Sequence, residues 1–166
     1  MPKLSPTLIA KLNKQMMNEL HAFITYEQLS MWAQLHLYCG IAAYFSEQAK
    51  EEFEHYKKYK NFLLERGVKP SICAIEAPIS AEPNVLSHLK TALRLEEKNS
   101  ASILDLRETA EKEKDVGTVL FTDYFVKEQE LEEARLGGLI EVATKVQSAT
   151  GEGLLFQLDS MIAKFV

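Results

Sequence analysis

The 166-residue chain has only two cysteines, Cys39 and Cys73, and they form no CxxC pair. That excludes a four-thiolate zinc or iron site and a disulfide-dense scaffold. The expectation is two free thiols in a reducing cytoplasm, with a single disulfide as the alternative. Excess positive charge is missing as well. The 19 Lys and Arg stand against 24 Asp and Glu, for a net charge of −5. A nucleic-acid partner gains no electrostatic support from that balance. No run approaches the roughly 20 apolar residues that span a bilayer. Residues 1–9 lack an apolar core of signal-peptide length. No membrane partner is expected, and no low-complexity tail or internal repeat is present.

Glycine and proline are scarce, at seven and five, and they punctuate the ends and the middle while leaving long stretches clear. The long stretches between them predict helices. Ser5-Pro6 pairs an N-cap with proline at the first helical position, so a first helix is predicted over about 5–37, stopping near Cys39-Gly40. The second is predicted over 41–66, with Gly67 as its stop. Pro70, Pro78 and Pro83 mark an irregular stretch. A third helix is predicted over 86–114 and a fourth over 117–147, with Gly117 near the break. Gly151 and Gly153 introduce a short last helix, 154–165. The expected fold is a single all-α domain over 1–166. Its long second connection suits a four-helix bundle with one crossover.

Each long helix carries a stripe at bundle-seam spacing, with alternating steps of four and three. The first helix gives Leu12, Met16, Glu19, Phe23, Tyr26 and Ser30. The second gives Ile41, Phe45, Gln48, Glu52, His55, Tyr59 and Phe62. The third gives Leu89, Leu93, Glu96, Ser100 and Ile103. The fourth gives Thr122, Phe125, Gln129, Glu132, Leu136 and Leu139. A carboxylate therefore interrupts every apolar stripe. His55 lies one turn from Glu52, and Gln129 one turn from Glu132, so each pair shares a helical face.

An unpaired buried ion costs several kcal/mol even after relaxation. Four facing carboxylates also repel one another, and no Lys or Arg shares their stripes. Three solutions exist. The carboxyls are protonated, or they are solvated, or cations neutralise them. Two divalent metals balance four carboxylates, and His55 and Gln129 complete the ligand set. Oxygen donors with one imidazole suit iron(II), manganese(II) or, less selectively, zinc.

Asn18-Glu19-Leu20 with Tyr26, the run Glu51-Glu52-Phe53-Glu54-His55, Glu96, Glu128-Gln129 and the terminal Gly151-Glu152-Gly153-Leu154 occur in order along nearly the whole chain. Taken together they resemble a non-haem ferritin of the bacterial type, within the ferritin-like di-iron carboxylate superfamily. The resemblance implies a ferritin-like four-helix bundle with a short fifth helix. It implies a ferroxidase centre with two Fe per subunit. Glu19, Glu52 and His55 would hold one iron. Glu52 would bridge to a second, held by Glu96, Gln129 and Glu132. Tyr26 would stand beside the centre, donating a hydrogen bond or an electron. The implied partners are iron ions, dioxygen or hydrogen peroxide, and other copies of the chain in a 24-subunit shell. The last helix would line its four-fold channel.

Two related families match less well. Bacterioferritin has a second Glu-x-x-His and a haem-ligating methionine after the bridging glutamate, where this chain has Phe53, so no haem is expected. Rubrerythrin adds a four-cysteine iron domain. The bacterial type often has a third iron site. Glu51 and Glu128 match two of its carboxylates, but Leu131 occupies the position of another. A weak third site is expected, or one rebuilt with Glu54 or Glu130.

Other residues are expected to be structural. Tyr59 and Tyr124 are read as core tyrosines with satisfied hydroxyls. His21, His36 and His88 fall off the stripes and are read as surface residues. Trp32 is read as packing, and the run 108–115 as a solvated helix end. Two functional alternatives stay open. One is a different di-metal carboxylate oxidoreductase. The other is a metal-free structural bundle whose inward polar groups fix helix register.

Overall fold

The computed structural model describes residues 3–148 and 153–165. They form five α-helices and no strand: α1 Pro6–Leu35, α2 Cys39–Glu65, α3 Val85–Lys112, α4 Val116–Ser148 and α5 Leu154–Ile162, followed by a 3-10 turn, Ala163–Phe165. Helix α1 packs along α2 and α3 along α4, and α1 joins the two hairpins through α3. The Gly151 and Glu152 of the terminal motif lie outside the described residues.

The ends follow from local chemistry. Ser5 accepts the Leu8 N–H at 3.1 Å, and Asn84 accepts the Ser87 N–H at 2.8 Å, so α1 and α3 start on side-chain caps. The tight links carry Leu37 at φ 61° and Lys114 at φ 58°. Asp115 then accepts the Thr118 N–H at 2.8 Å and opens α4 before Gly117, not after it. Asp115 also binds Arg66 at the end of α2, at 2.5 Å, and this partner holds its carboxyl down at about 2.

Cys39 and Gly40 do not stop α1; they start α2. The reason is a cap from elsewhere in the chain. Asp159 on α5 accepts the backbone N–H of Gly40 at 3.0 Å and of Ile41 at 2.8 Å. The approach is so close that a Cβ on residue 40 would lie 2.1 Å from the Asp159 carbonyl oxygen. Glycine is required here by proximity, not by backbone conformation.

Segment 66–84 runs along α1 in the same chain direction. Ser71 N–H bonds Asn13 at 2.7 Å, the Ala77 carbonyl meets His21 at 3.0 Å, and Ile79 N–H reaches Thr25 at 3.4 Å. His21 is thus tied to the crossover. His88, expected at the surface, is 3% exposed. Its ring stacks on Trp32 at 3.8 Å, and its Nδ1 meets the Asn84 carbonyl at 2.8 Å. The first turn of α3 faces the end of α1, and imidazole and indole together close that end of the bundle. His36 is exposed.

The apolar core is split in two. One cluster holds Tyr26, Leu29, Ile41, Phe45, Leu89, Leu136 and Leu158. The other holds Leu12, Met16, Tyr59, Leu63, Ile103 and Phe125. Along every long helix, the inward carboxylate sits between the two clusters.

Candidate metal centre

Glu19, Glu52, His55, Glu96, Gln129 and Glu132 are all buried, none more than 5% exposed. The four stripes therefore converge, and the solvated arrangement of these carboxylates does not occur. Ligand atoms of Glu19, Glu52 and His55 lie within 4.8 Å of one another. The same limit holds for Glu52, Glu96 and Glu132. Glu52 belongs to both groups. It links the group on α1 and α2 to the group that includes α3 and α4, and is placed to touch a cation in each.

Their remaining contacts divide sharply. Both oxygens of Glu19 are occupied: Gln15 and Asn99 each donate an amide N–H at 2.8 Å. Glu96 accepts from the Tyr26 hydroxyl and, at 3.0 Å, from Gln129. Gln129 also donates to Ser100 at 3.2 Å. By contrast, Glu52 Oε2, His55 Nδ1 and Glu132 Oε2 are buried and have no hydrogen-bond partner. Glu52 Oε2 and His55 Nδ1 are 3.7 Å apart, too far for a hydrogen bond. Orphaned buried polar atoms are rare in native proteins. Here all three belong to residues of the overlapping ligand groups, on α2 and α4. Cations fit this donor set: one among Glu19, Glu52 and His55 and one among Glu52, Glu96 and Glu132 would satisfy the three atoms and neutralise the carboxylates around them.

The electrostatics agree. Burial pushes the Glu52 carboxyl well above its ordinary range, and Glu96, Glu19 and Glu132 push it further. Burial raises Glu132 to about 9 and Glu96 to about 7, although the bonds from Tyr26 and Gln129 pull Glu96 back down. Burial lowers the His55 imidazole, which favours the neutral, ligating form. Metal-free, the centre is kept partly protonated, and a bound cation would displace those protons.

Glu128 joins a third group with His55 and Glu132, again within 4.8 Å. Glu51 does not enter any of these groups; it accepts from Gln48 instead. Burial raises the Glu51 carboxyl, and the Arg135 guanidinium works against that rise. Glu54 is exposed and bonded to Lys57, while Glu130 and Leu131 are exposed. Neither Glu54 nor Glu130 enters a ligand group among the described residues.

Sequence reasoning passed over Gln15 and Asn99, which hold Glu19. A signal existed. Gln15 is one turn before Glu19, and Asn99 is three residues after Glu96.

Comparison with known proteins accords with this geometry. The ferritin-like domain family matches residues 9–146. The chain belongs to the ferritin family. It is 30% identical over 153 residues to the bacterial non-heme ferritin of Escherichia coli O157:H7, covering 92% of both chains. It is 32% identical over 143 residues to that of Staphylococcus aureus strain MRSA252, covering 86% of both. Two crystal structures of an open pore ferritin from the hyperthermophilic archaeon Archaeoglobus fulgidus superpose with TM-scores of 0.91 and 0.92. Each is 25% identical to this chain, over 97% of it and 98% of the archaeal chain. The architecture is thus an all-α ferritin bundle with a short C-terminal helix. Among the described residues, no helix is long and apolar enough to cross a membrane.

Proposed function

We propose that this ferritin oxidises Fe(II) to Fe(III) at the convergent carboxylates and stores the ferric product in a hollow homo-oligomeric shell. The observation that carries this reading is Glu52, shared between two three-residue ligand groups. Iron is the substrate. One Fe(II) binds Glu19, Glu52 and His55. The other binds Glu52, Glu96 and Glu132, with Gln129 beside it.

The electron count follows from having two irons. Each gives one electron, so two Fe(II) and two protons convert dioxygen to hydrogen peroxide, or hydrogen peroxide to two waters. One-electron release of superoxide is avoided. The residues hold the two ions together and compensate their charge before and after oxidation. Gln129 is neutral, so it holds the second iron less tightly than a carboxylate in its place would. That favours movement of oxidised iron out of the centre, and Glu128, grouped with His55 and Glu132, offers an adjoining foothold.

The shell, with 24 subunits, is supported by the chain's uncovered apolar surface. Met31, Leu35, Leu37, Leu64, Leu104 and Leu120 are more than half exposed. On the last helix, Leu158 and Ile162 pack on the chain's own bundle, while Phe156 points outward at 59% exposure. Apolar side chains left uncovered on a single chain are available for burial between copies. Cys39 and Cys73 are both free and exposed, which suits a reducing cytoplasm.

The test is stoichiometric Fe(II) addition to the apo-protein in air, beside a Glu52→Ala, His55→Ala variant. Fast formation of ferric absorbance up to two irons per chain, lost in the variant, is the expected outcome. Equal behaviour of the two proteins would return the centre to a register-fixing role. Sedimentation of a monomer or dimer would remove the storage shell.

A further inference from the structure

Tyr59 sits on α2, four residues after His55 and seven after Glu52, on the same helical face. Its ring is fixed on two sides. It stacks on Phe125 at 4.4 Å and meets Phe121 edge-on at 5.0 Å. Phe125 in turn meets the His55 ring at 5.3 Å. The residue is fully buried, and its ring belongs to the apolar cluster below the centre.

The hydroxyl has no hydrogen-bond partner. That arrangement costs free energy which phenylalanine would not incur. Tyr26 offers the contrast, since its hydroxyl is committed to Glu96. The carboxylates within electrostatic reach of Tyr59 are Glu19 and Glu52; with burial they keep the phenol protonated. It is a neutral O–H in search of an acceptor. Neither carboxylate accepts it: Gln15 and Asn99 donate to the two oxygens of Glu19, and Glu52 Oε2 is itself without a partner, so it lies beyond hydrogen-bond reach of the hydroxyl. The acceptor is therefore something that arrives at the centre.

We propose that the Tyr59 hydroxyl donates a hydrogen bond to the small ligand completing the coordination of the iron held by Glu19, Glu52 and His55. The ligand class is water or the oxidant itself. This rests on the function proposed above. A fixed donor of this kind stabilises negative charge as it develops on the oxidant's oxygen. No bond of Tyr59 breaks, so the electrons and protons are those already counted for two irons and one oxidant.

The test uses Tyr59→Phe in the full chain, with cobalt(II) as the probe metal and azide as the probe ligand. Cobalt binding per chain should be unchanged. Azide affinity of the cobalt-loaded protein should fall about tenfold, the scale of one hydrogen bond to a charged acceptor. Iron oxidation should slow in parallel. The apo variant should melt no lower than the unmodified protein. Azide affinity and oxidation rate both within about twofold would overturn the inference, given that scale. So would a clear drop in apo melting temperature, because it would mean that the hydroxyl already has a partner within the protein. Failure of the unmodified chain to bind cobalt would reject the proposed function instead.

Discussion

The Tyr26 hydroxyl on α1 donates to Oε1 of Glu96, 70 residues further along the chain on α3. The bond joins the two hairpins at the level of the centre. It also stabilises the charged form of a carboxyl that burial otherwise raises. Tyr26→Phe should therefore push the Glu96 carboxyl further up. It should lower apo stability by roughly 1–3 kcal/mol, the range for losing a hydrogen bond to a buried charged acceptor. Thermal melting of the apo-protein checks this. An unchanged melt would show that the bond contributes nothing across the hairpins.

Glu52→Gln should separate stability from function. The glutamine keeps the volume and removes a carboxylate that Glu96, Glu19 and Glu132 all oppose. The apo variant should melt a few degrees higher at pH 8. It should also lose the shared ligand and oxidise iron far more slowly. A lower apo melting temperature would mean that the carboxylate is stabilising without metal.

Apo stability should fall as pH rises. Glu96 at about 7 and Glu132 at about 9 are raised above their unfolded values. The folded state then binds more protons than the unfolded state. This stabilisation is fully present below the unfolded carboxyl range and is lost as pH climbs through about 7 and then about 9. Metal loading should reverse the trend, because cations displace those same protons. Melting curves across that range, with and without zinc(II), measure both slopes. Parallel slopes would mean that the metal does not replace those protons.

Gly40→Ala should loosen the last helix. The added methyl would lie 2.1 Å from the Asp159 carbonyl oxygen, which is backbone and cannot swing aside. Overpacking of this kind costs about 1–3 kcal/mol. The displaced Asp159 would also release the first N–H groups of α2. Limited proteolysis should remove α5, Leu154–Ile162, faster than in the unmodified protein. Equal cutting rates would show that α5 adjusts without losing its cap.

The centre was legible because a carboxylate at an apolar position is conspicuous. Glu19, Glu52, Glu96 and Glu132 each break a stripe whose period is otherwise kept, and all four are buried together. Helix starts at Ser5 and Asn84 were close to their expected places, since a capping side chain acts within three residues. The errors came from contacts between distant parts of the chain. Gly40 was expected to stop a helix, and only the approach of Asp159 explains why it starts one. His88 falls off the stripe of Leu89, Leu93 and Glu96, but it lies on the line of Val85, Ala92 and Leu95, and Trp32 covers it. Tyr124 was expected in the core, yet it is 42% exposed, with its hydroxyl accepting from Lys58. Tyr59 was placed correctly in the core, but its hydroxyl is not satisfied. Spacing can place a ring on a face; it cannot say what the ring's polar tip will find.

The candidate ligands are shared equally between the hairpins, three from each. Glu19, Glu52 and His55 come from α1 and α2, while Glu96, Gln129 and Glu132 come from α3 and α4. A nascent chain emerges N-terminus first, at about 5–20 residues per second. With only the first hairpin in place, Glu19, Glu52 and His55 would lie on a face that α3 and α4 do not cover, open to water. Their desolvation waits until the second hairpin docks and brings Tyr26 and Glu96 together. The energetic conflict at the heart of this molecule is thus confined to the docking of its two hairpins, since neither hairpin alone encloses all four carboxylates.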